Sequence, residues 1–157
     1  MIRPAALHHG ADGESYSRPP IRPHAQGSGG TRPAARILIV EDHPLVSHGL
    51  AELIADEERL EVCGRAASAA EAALLFETTR PDLVILDVLL PDRDGFDLMV
   101  DLLEHDRSAK IVVFSSGNPE VYARRAREGG AVAFVSKGMV LDEIVPAIRA
   151  ALGEKSD

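Results

Sequence analysis

The stretch Leu83-Val84-Ile85-Leu86-Asp87 constrains this chain more than any other. Four apolar residues, two of them β-branched, read as a strand buried on both faces. Such a strand does not ordinarily run straight into a carboxylate, yet Asp87 follows Leu86 with no spacer. Pro91, Asp92, Asp94 and Gly95 then mark a loop. A strand buried on both faces belongs to a parallel sheet covered by helices. In an open sheet of that kind the carboxyl edge is where ligands bind. Asp87 therefore stands where function is expected, although an aspartate there also suits a plain helix entry.

The pattern repeats. Ile37-Leu38-Ile39-Val40 is a second continuous apolar run, ending in Glu41-Asp42. His43-Pro44 follows, with proline at home in the first turn of a helix. Leu50, Leu53 and Ile54 then recur at helical spacing. Leu60–Ala66 is a weaker strand and suits a sheet edge, with Cys63 a packing residue rather than a reactive one. Ser68 and Glu71 match a capping box ahead of an alanine-rich helix, with Leu74, Leu75 and Phe76 as core candidates.

A helix is expected near Phe96–Glu104. Ile111-Val112-Val113-Phe114 ends in Ser115-Ser116-Gly117, after which Asn118 caps and Pro119 starts a helix that Gly129-Gly130 stops. Ala131–Val135 is a fifth strand, ending in Ser136-Lys137-Gly138. Leu141–Leu152 is the last helix, turning Ile144, Val145, Ile148 and Leu152 inward, and Pro146 should distort its first turns. Five strands alternating with five helices specify a parallel sheet with helices on both faces and right-handed crossovers.

Composition narrows the class. The 157 residues suit one domain, and 45% apolar residues support a packed core. The single cysteine excludes an intramolecular disulfide. No apolar run spans a bilayer and no signal-peptide core is present, so a cytoplasmic protein is expected. Residues 1–35 carry four arginines against two acids, which is +2; with a total of -8, the remainder carries -10. So acidic a domain is a poor direct ligand for nucleic acid and suits cations or basic partners. Residues 1–35, rich in Pro, Gly, Ser and His, are expected to be a disordered tail. His8, His9 and His24 within it lack the fixed spacing of a metal site. Residues 36–153 form the folded domain and 154–157 a short C-terminal tail.

Strand ends in a parallel sheet share one edge, so Glu41, Asp42, Asp87, Ser115 and Lys137 converge on one cleft. Three close carboxylates repel, and a divalent cation relieves this. Few carboxylates with open positions is the Mg²⁺ pattern. A serine and a lysine opposite the metal suit a tetrahedral anion, and the ensemble reads as a phosphoryl-transfer site with Asp87 as nucleophile.

These residues, in this order and spacing, together with Leu86-Asp87-Val88-Leu89-Leu90-Pro91-Asp92-Arg93-Asp94-Gly95 and Gly130-Ala131-Val132-Ala133-Phe134-Val135-Ser136-Lys137, closely resemble the receiver domains of two-component response regulators. The match runs from Arg36 to about Leu152. The resemblance implies a flavodoxin-like doubly wound sheet of order 2-1-3-4-5. It implies that Asp87 accepts a phosphoryl group from a sensor histidine kinase. Asp42, Asp87 and the backbone carbonyl of Leu89 would hold Mg²⁺, with Glu41 acting through water. Lys137 would pair with the phosphoryl group, Ser115 would hydrogen-bond it, and Phe134 matches an aromatic switch position. It further implies a signalling phosphoacceptor rather than an enzyme, catalysing only its own phosphoryl transfer and slow autodephosphorylation.

Glu41-Asp42-His43-Pro44 looks most like receivers joined to helix-turn-helix output domains, for which a chain ending at Asp157 leaves no room. A stand-alone receiver is therefore expected, signalling to an output protein, or to a second copy, through the 119–152 surface. Leu90 stands where the family often has Met, and Phe134 carries no hydroxyl, so switching there must work through packing. Other readings are a phosphorelay intermediate, a receiver fragment of a DNA-binding regulator, and a haloacid-dehalogenase-like phosphatase. The last typically has a second aspartate two positions after the nucleophile, where this chain has Leu89.

Overall fold

The structure is a computed structural model and describes residues 32–138 and 141–154. The expected N-terminal tail up to residue 31, with its three histidines, and the last three residues lie outside the described residues.

Five strands and five helices alternate: β1 (Ala35–Val40), α1 (Pro44–Ala55), β2 (Leu60–Ala66), α2 (Ala69–Thr79), β3 (Leu83–Leu86), α3 (Gly95–His105), β4 (Lys110–Ser115), α4 (Pro119–Gly129), β5 (Ala133–Ser136) and α5 (Leu141–Ala151). All neighbouring strands pair in parallel, in the order β2-β1-β3-β4-β5. The parallel sheet is the one the strand pattern predicts, and its flavodoxin-like order is the one the resemblance implies. The leading strand is two residues longer than the apolar run, because Ala35 already pairs with Leu60 and Arg36 with Glu61. β2 does lie at an edge, and its register slips between Ile37 and Leu38.

Alternation along the central strands feeds two cores. Leu38, Val40, Val84, Leu86, Ile111 and Val113 point to the face covered by α2, α3 and α4, where Ala72, Phe76, Leu98, Met99 and Leu102 meet them. Ile37, Ile39, Leu83, Ile85, Val112 and Phe114 point to the other, against Leu50 and Ile54 of α1 and Ile144 and Ile148 of α5. Full burial of each such side chain contributes roughly 1.5–3 kcal/mol.

Helix ends follow local chemistry. Ser68 caps α2 by accepting from the Glu71 N–H at 3.2 Å. Glu71 reaches back to the Ala67 N–H at 2.8 Å, one residue beyond the N-cap N–H of an ideal capping box. Asn118 caps α4 by accepting from the N–H groups of Glu120 and Val121, and Gly130, with φ of 105°, ends it.

Two expectations need correction. Leu74 is not core: it is 61% exposed, because the buried stripe of α2 runs through Ala69, Ala72 and Phe76. The fifth strand starts at Ala133 rather than Ala131. The Ala131 N–H is spent on the Ala126 carbonyl, closing α4, and the Val132 N–H on Ile111. Pro146 lies inside α5, as the sequence places it, and the helix extends to Ala151.

Candidate functional site

The carboxyl edge is assembled by main-chain bonds before any side chain acts. The Glu41 N–H donates to the Ala66 carbonyl, and the Asp87 N–H donates to Val40 at 2.9 Å. The chain beyond β3 is thereby tied across β1, which puts Asp87 beside Glu41. Beyond Asp87 the loop is pinched: Gly95 donates to the Val88 carbonyl at 2.9 Å, and Leu89 and Asp94 face each other in an isolated bridge. A Cβ on Gly95 would lie 2.3 Å from the Val88 Cα, so only glycine fits there.

Glu41 and Asp87 are each only 2% exposed. Lys137 reaches in from the end of β5 and holds both. Its Nζ donates to Asp87 Oδ2 at 2.7 Å and to Glu41 Oε1 at 3.0 Å. The other oxygen, Asp87 Oδ1, accepts from the Leu89 N–H at 2.9 Å. Burial pushes the Glu41 carboxyl above its ordinary range; the Lys137 hydrogen bond opposes this, and the Asp87 charge adds to it. Burial pulls the Lys137 ammonium down, but its bonds to Asp87 and Glu41 outweigh that and hold it above the ordinary lysine range.

One ammonium does not satisfy three carboxylates. Asp42 lies beside them, and ligand oxygens of Glu41, Asp42 and Asp87 lie within 4.8 Å of one another and of the His43 ring. Glu41 Oε2 sits 2.9 Å from the Lys137 nitrogen without hydrogen-bond geometry, and both it and Asp42 Oδ1 are buried atoms that accept no hydrogen bond. Orphaned buried oxygens of this kind fit a hard divalent cation. Glu41, Asp42 and Asp87, as the sequence indicated, are the groups that could hold it.

Ser115 is fully buried at the end of β4. Its Oγ accepts from the Gly117 N–H at 3.3 Å and has no hydrogen bond to Asp87 or Lys137. Phe134 is half-buried, packed toward the core under α2, α3 and α4. Leu89, whose carbonyl the resemblance assigns to the metal, is 46% exposed beside the cleft.

Three features escaped the sequence reading. His43 places Nδ1 at 3.1 Å from Glu41 Oε1 and 3.3 Å from Asp42 Oδ1; its place next to Asp42 was a usable signal. Arg65 and the buried Ser47 line an adjoining cleft of about 300 Å³ that Glu41 and Asp42 also line, and Arg65 Nε donates to Ser47 Oγ at 2.8 Å. Asp92 reaches from the β3–α3 loop to the N-terminus of α2. It accepts from the Ala69 N–H at 2.8 Å and the Ala70 N–H at 3.1 Å, and the Ala69 bond above all holds its carboxyl below the ordinary aspartate value.

Comparison with known proteins agrees with this geometry. Residues 37–149 match the family described as response regulator receiver domain. The transcriptional regulatory protein PdtaR of Mycobacterium tuberculosis is 39% identical over 117 residues, which is 74% of this chain and 56% of PdtaR. The response regulator GacA of Pseudomonas aeruginosa is 33% identical over 114 residues, covering 73% of this chain and 53% of GacA. The chain thus spans about half the length of the curated relatives it matches. Among solved structures, a LuxR-family two-component response regulator from Aurantimonas superposes with a TM-score of 0.72 at 34% identity, covering 79% of this chain and 89% of that one. The signal receiver domain of the putative response regulator NarL from Mycobacterium tuberculosis gives 0.72 at 25% identity, over 78% of this chain and all of that one.

Proposed function

The chain belongs to the response regulator receiver domain family, and from that premise we propose that Asp87 accepts a phosphoryl group from the phosphohistidine of a sensor histidine kinase. Receiver domains of response regulators are phosphorylated by histidine kinases and bind Mg²⁺ at an acidic pocket. The observation that carries the assignment to this chain is the buried Asp87 carboxylate, gripped by Lys137 and the Leu89 amide beside two carboxylate oxygens that accept no hydrogen bond.

In the proposed step, an Asp87 oxygen forms a bond to phosphorus as the bond from phosphorus to the donor nitrogen breaks, and the imidazole keeps the electron pair. Lys137 moves from a carboxylate partner to a phosphoryl oxygen, and Ser115 donates to another. A divalent cation held by Asp42, Asp87 and the Leu89 carbonyl, with Glu41 acting through water, would neutralise charge on the transferring group. The site then serves signalling rather than turnover of a metabolite, with slow autodephosphorylation as its reset.

The signal leaves on the side of Ser115. Drawing Ser115 toward the phosphoryl group vacates space beside β5, and Phe134 rotates inward to fill it. The altered surface is α4, β5 and α5, which binds an output protein or a second copy. Amide chemical shifts compared with and without a phosphoryl mimic should change there; changes confined to α1 and α2 would overturn that route.

Intact-mass measurement after treatment with acetyl phosphate and Mg²⁺ tests the chemistry. One phosphoryl group is expected on the wild-type protein and none on Asp87→Ala or in excess chelator. Equal labelling of the variant would refute the proposal.

A further inference from the structure

We infer that Tyr122 is a positioning residue for the Ser115 hydroxyl, acting through Gly117; this rests on the reading of Asp87 as the phosphoacceptor. Ser115 Oγ accepts from the Gly117 N–H at 3.3 Å. The Tyr122 ring lies so close over Gly117 that an added Cβ would sit 1.7 Å from a ring carbon. Ring and backbone are wedged together, and the turn that carries the Ser115 partner cannot shift unless the ring shifts too.

The ring is itself held from two helices. The Tyr122 N–H donates to the Asn118 carbonyl at 2.8 Å, in the first turn of α4. Its ring meets Phe96 of α3 edge to face, with centroids 5.6 Å apart and planes at 84°. Arg125 covers the Phe96 ring at 4.1 Å from its centroid and lies 3.6 Å from the Asp94 carboxylate. Asp94 in turn caps α3 through the Phe96 N–H at 2.7 Å. Tyr122 is thus braced against the far end of the loop that begins at Asp87.

A serine hydroxyl has one hydrogen to donate and two lone pairs. With the Gly117 amide on one lone pair, the oxygen is anchored and its hydrogen is kept out of the Gly117 direction, leaving two staggered directions in place of three. A donor restricted in this way before the phosphoryl group arrives needs less reorganisation during transfer. Without the ring, the 115–118 turn regains freedom and the hydroxyl loses that restriction. A tyrosine that only fills space between α3 and α4 would affect stability and leave Ser115-dependent chemistry alone.

The experiment is a double-mutant cycle on labelling rate at saturating acetyl phosphate and Mg²⁺. Ser115→Ala should slow labelling by about tenfold, and Tyr122→Leu by a similar factor, as expected when one oriented donor is lost or misplaced. Tyr122→Phe, which keeps the ring, should label at the wild-type rate. The double variant should be no slower than Ser115→Ala alone. Gly117→Ala, which evicts the ring from the other side, should slow labelling in the same way and keeps the test alive if Tyr122→Leu fails to fold. Wild-type labelling rates in both Tyr122→Leu and Gly117→Ala, or losses that multiply in the double variant, would overturn the inference. A wild-type protein that takes up no phosphoryl group would overturn the Asp87 reading and this inference with it, a result distinct from the others.

Discussion

The two ends of one sheet use the same kinds of side chain to opposite ends. At the amino edge of the strands, charge is paired and spent. The Arg36 N–H donates to Asp82 at 2.8 Å, its guanidinium to the Thr79 carbonyl at 3.0 and 3.3 Å and to Glu61 at 3.2 Å. Arg149 closes α5 onto the α1–β2 loop through Glu57 at 2.9 Å and the Glu58 carbonyl at 3.3 Å, and pairs locally with Glu154 at 2.6 Å. At the carboxyl edge two buried carboxylates share one lysine with a third, Asp42, beside them, two of the oxygens accept no hydrogen bond, and Glu41 is pushed toward its protonated form. Paired charge near the surface fixes loops at modest energetic value. Buried charge left short of partners marks a place made for a ligand.

Variants at the two edges should therefore differ in sign and in response to Mg²⁺. The largest effect is expected from Lys137→Met, which leaves Glu41 and Asp87 buried without their cation and should cost about 3 kcal/mol in chelator. Urea unfolding should show that loss shrinking when Mg²⁺ is added, and a loss indifferent to Mg²⁺ would erase the contrast. Asp42→Ala should weaken Mg²⁺ binding about tenfold or more, near 1.4 kcal/mol, while leaving stability in chelator equal or higher as repulsion is relieved; calorimetric titration and thermal melts check both. Arg149→Ala should lower stability by about 1 kcal/mol, with no change in Mg²⁺ affinity or labelling rate.

Asp92 sharpens the comparison at the smallest scale, because it sits in the functional loop yet is paired like the residues of the far edge. Its folded-state pKa is lowered, so its contribution is in full force above the ordinary aspartate value of about 4 and is lost as pH falls through the lower folded value. Asp92→Asn should be slightly less stable than wild type at neutral pH, and the gap should close in acid. A gap that stays constant down to strongly acidic pH would show that the charge at the α2 N-terminus does not matter.

Much of this was legible in the residue order. Apolar runs followed at once by Glu41-Asp42, Asp87 and Ser115, and one residue later by Lys137, specify both the parallel sheet and the edge where these groups meet, because strand direction alone decides which ends converge. The caps at Ser68 and Asn118 were legible for the same local reason. What escaped depends on long-range approach. Asp92 meets Ala69 and Ala70 only once α2 lies beside the β3–α3 loop. Tyr122 over Gly117 depends on the angle of α4 against the sheet, which periodicity does not encode. Leu74 was misplaced because alanines at 69 and 72 already supply the buried stripe of α2, and an alanine-rich helix leaves ambiguous which side its larger residues face.

The pinch between Val88 and Gly95 bears on how the segment tolerates change over generations. With the Gly95 amide on the Val88 carbonyl and Leu89 facing Asp94, the residues between them form a closed ring of chain whose size is set by its own clasp. An added or deleted residue would have nowhere to go except through the clasp, so drift in this interval should proceed by substitution and not by insertion or deletion. The exposed crown at Arg93, held only by a surface ion pair with Asp101, tolerates change more readily than Gly95, which has no room for a Cβ. The loop that carries Asp87 is in that sense a unit of fixed length with a variable inscription.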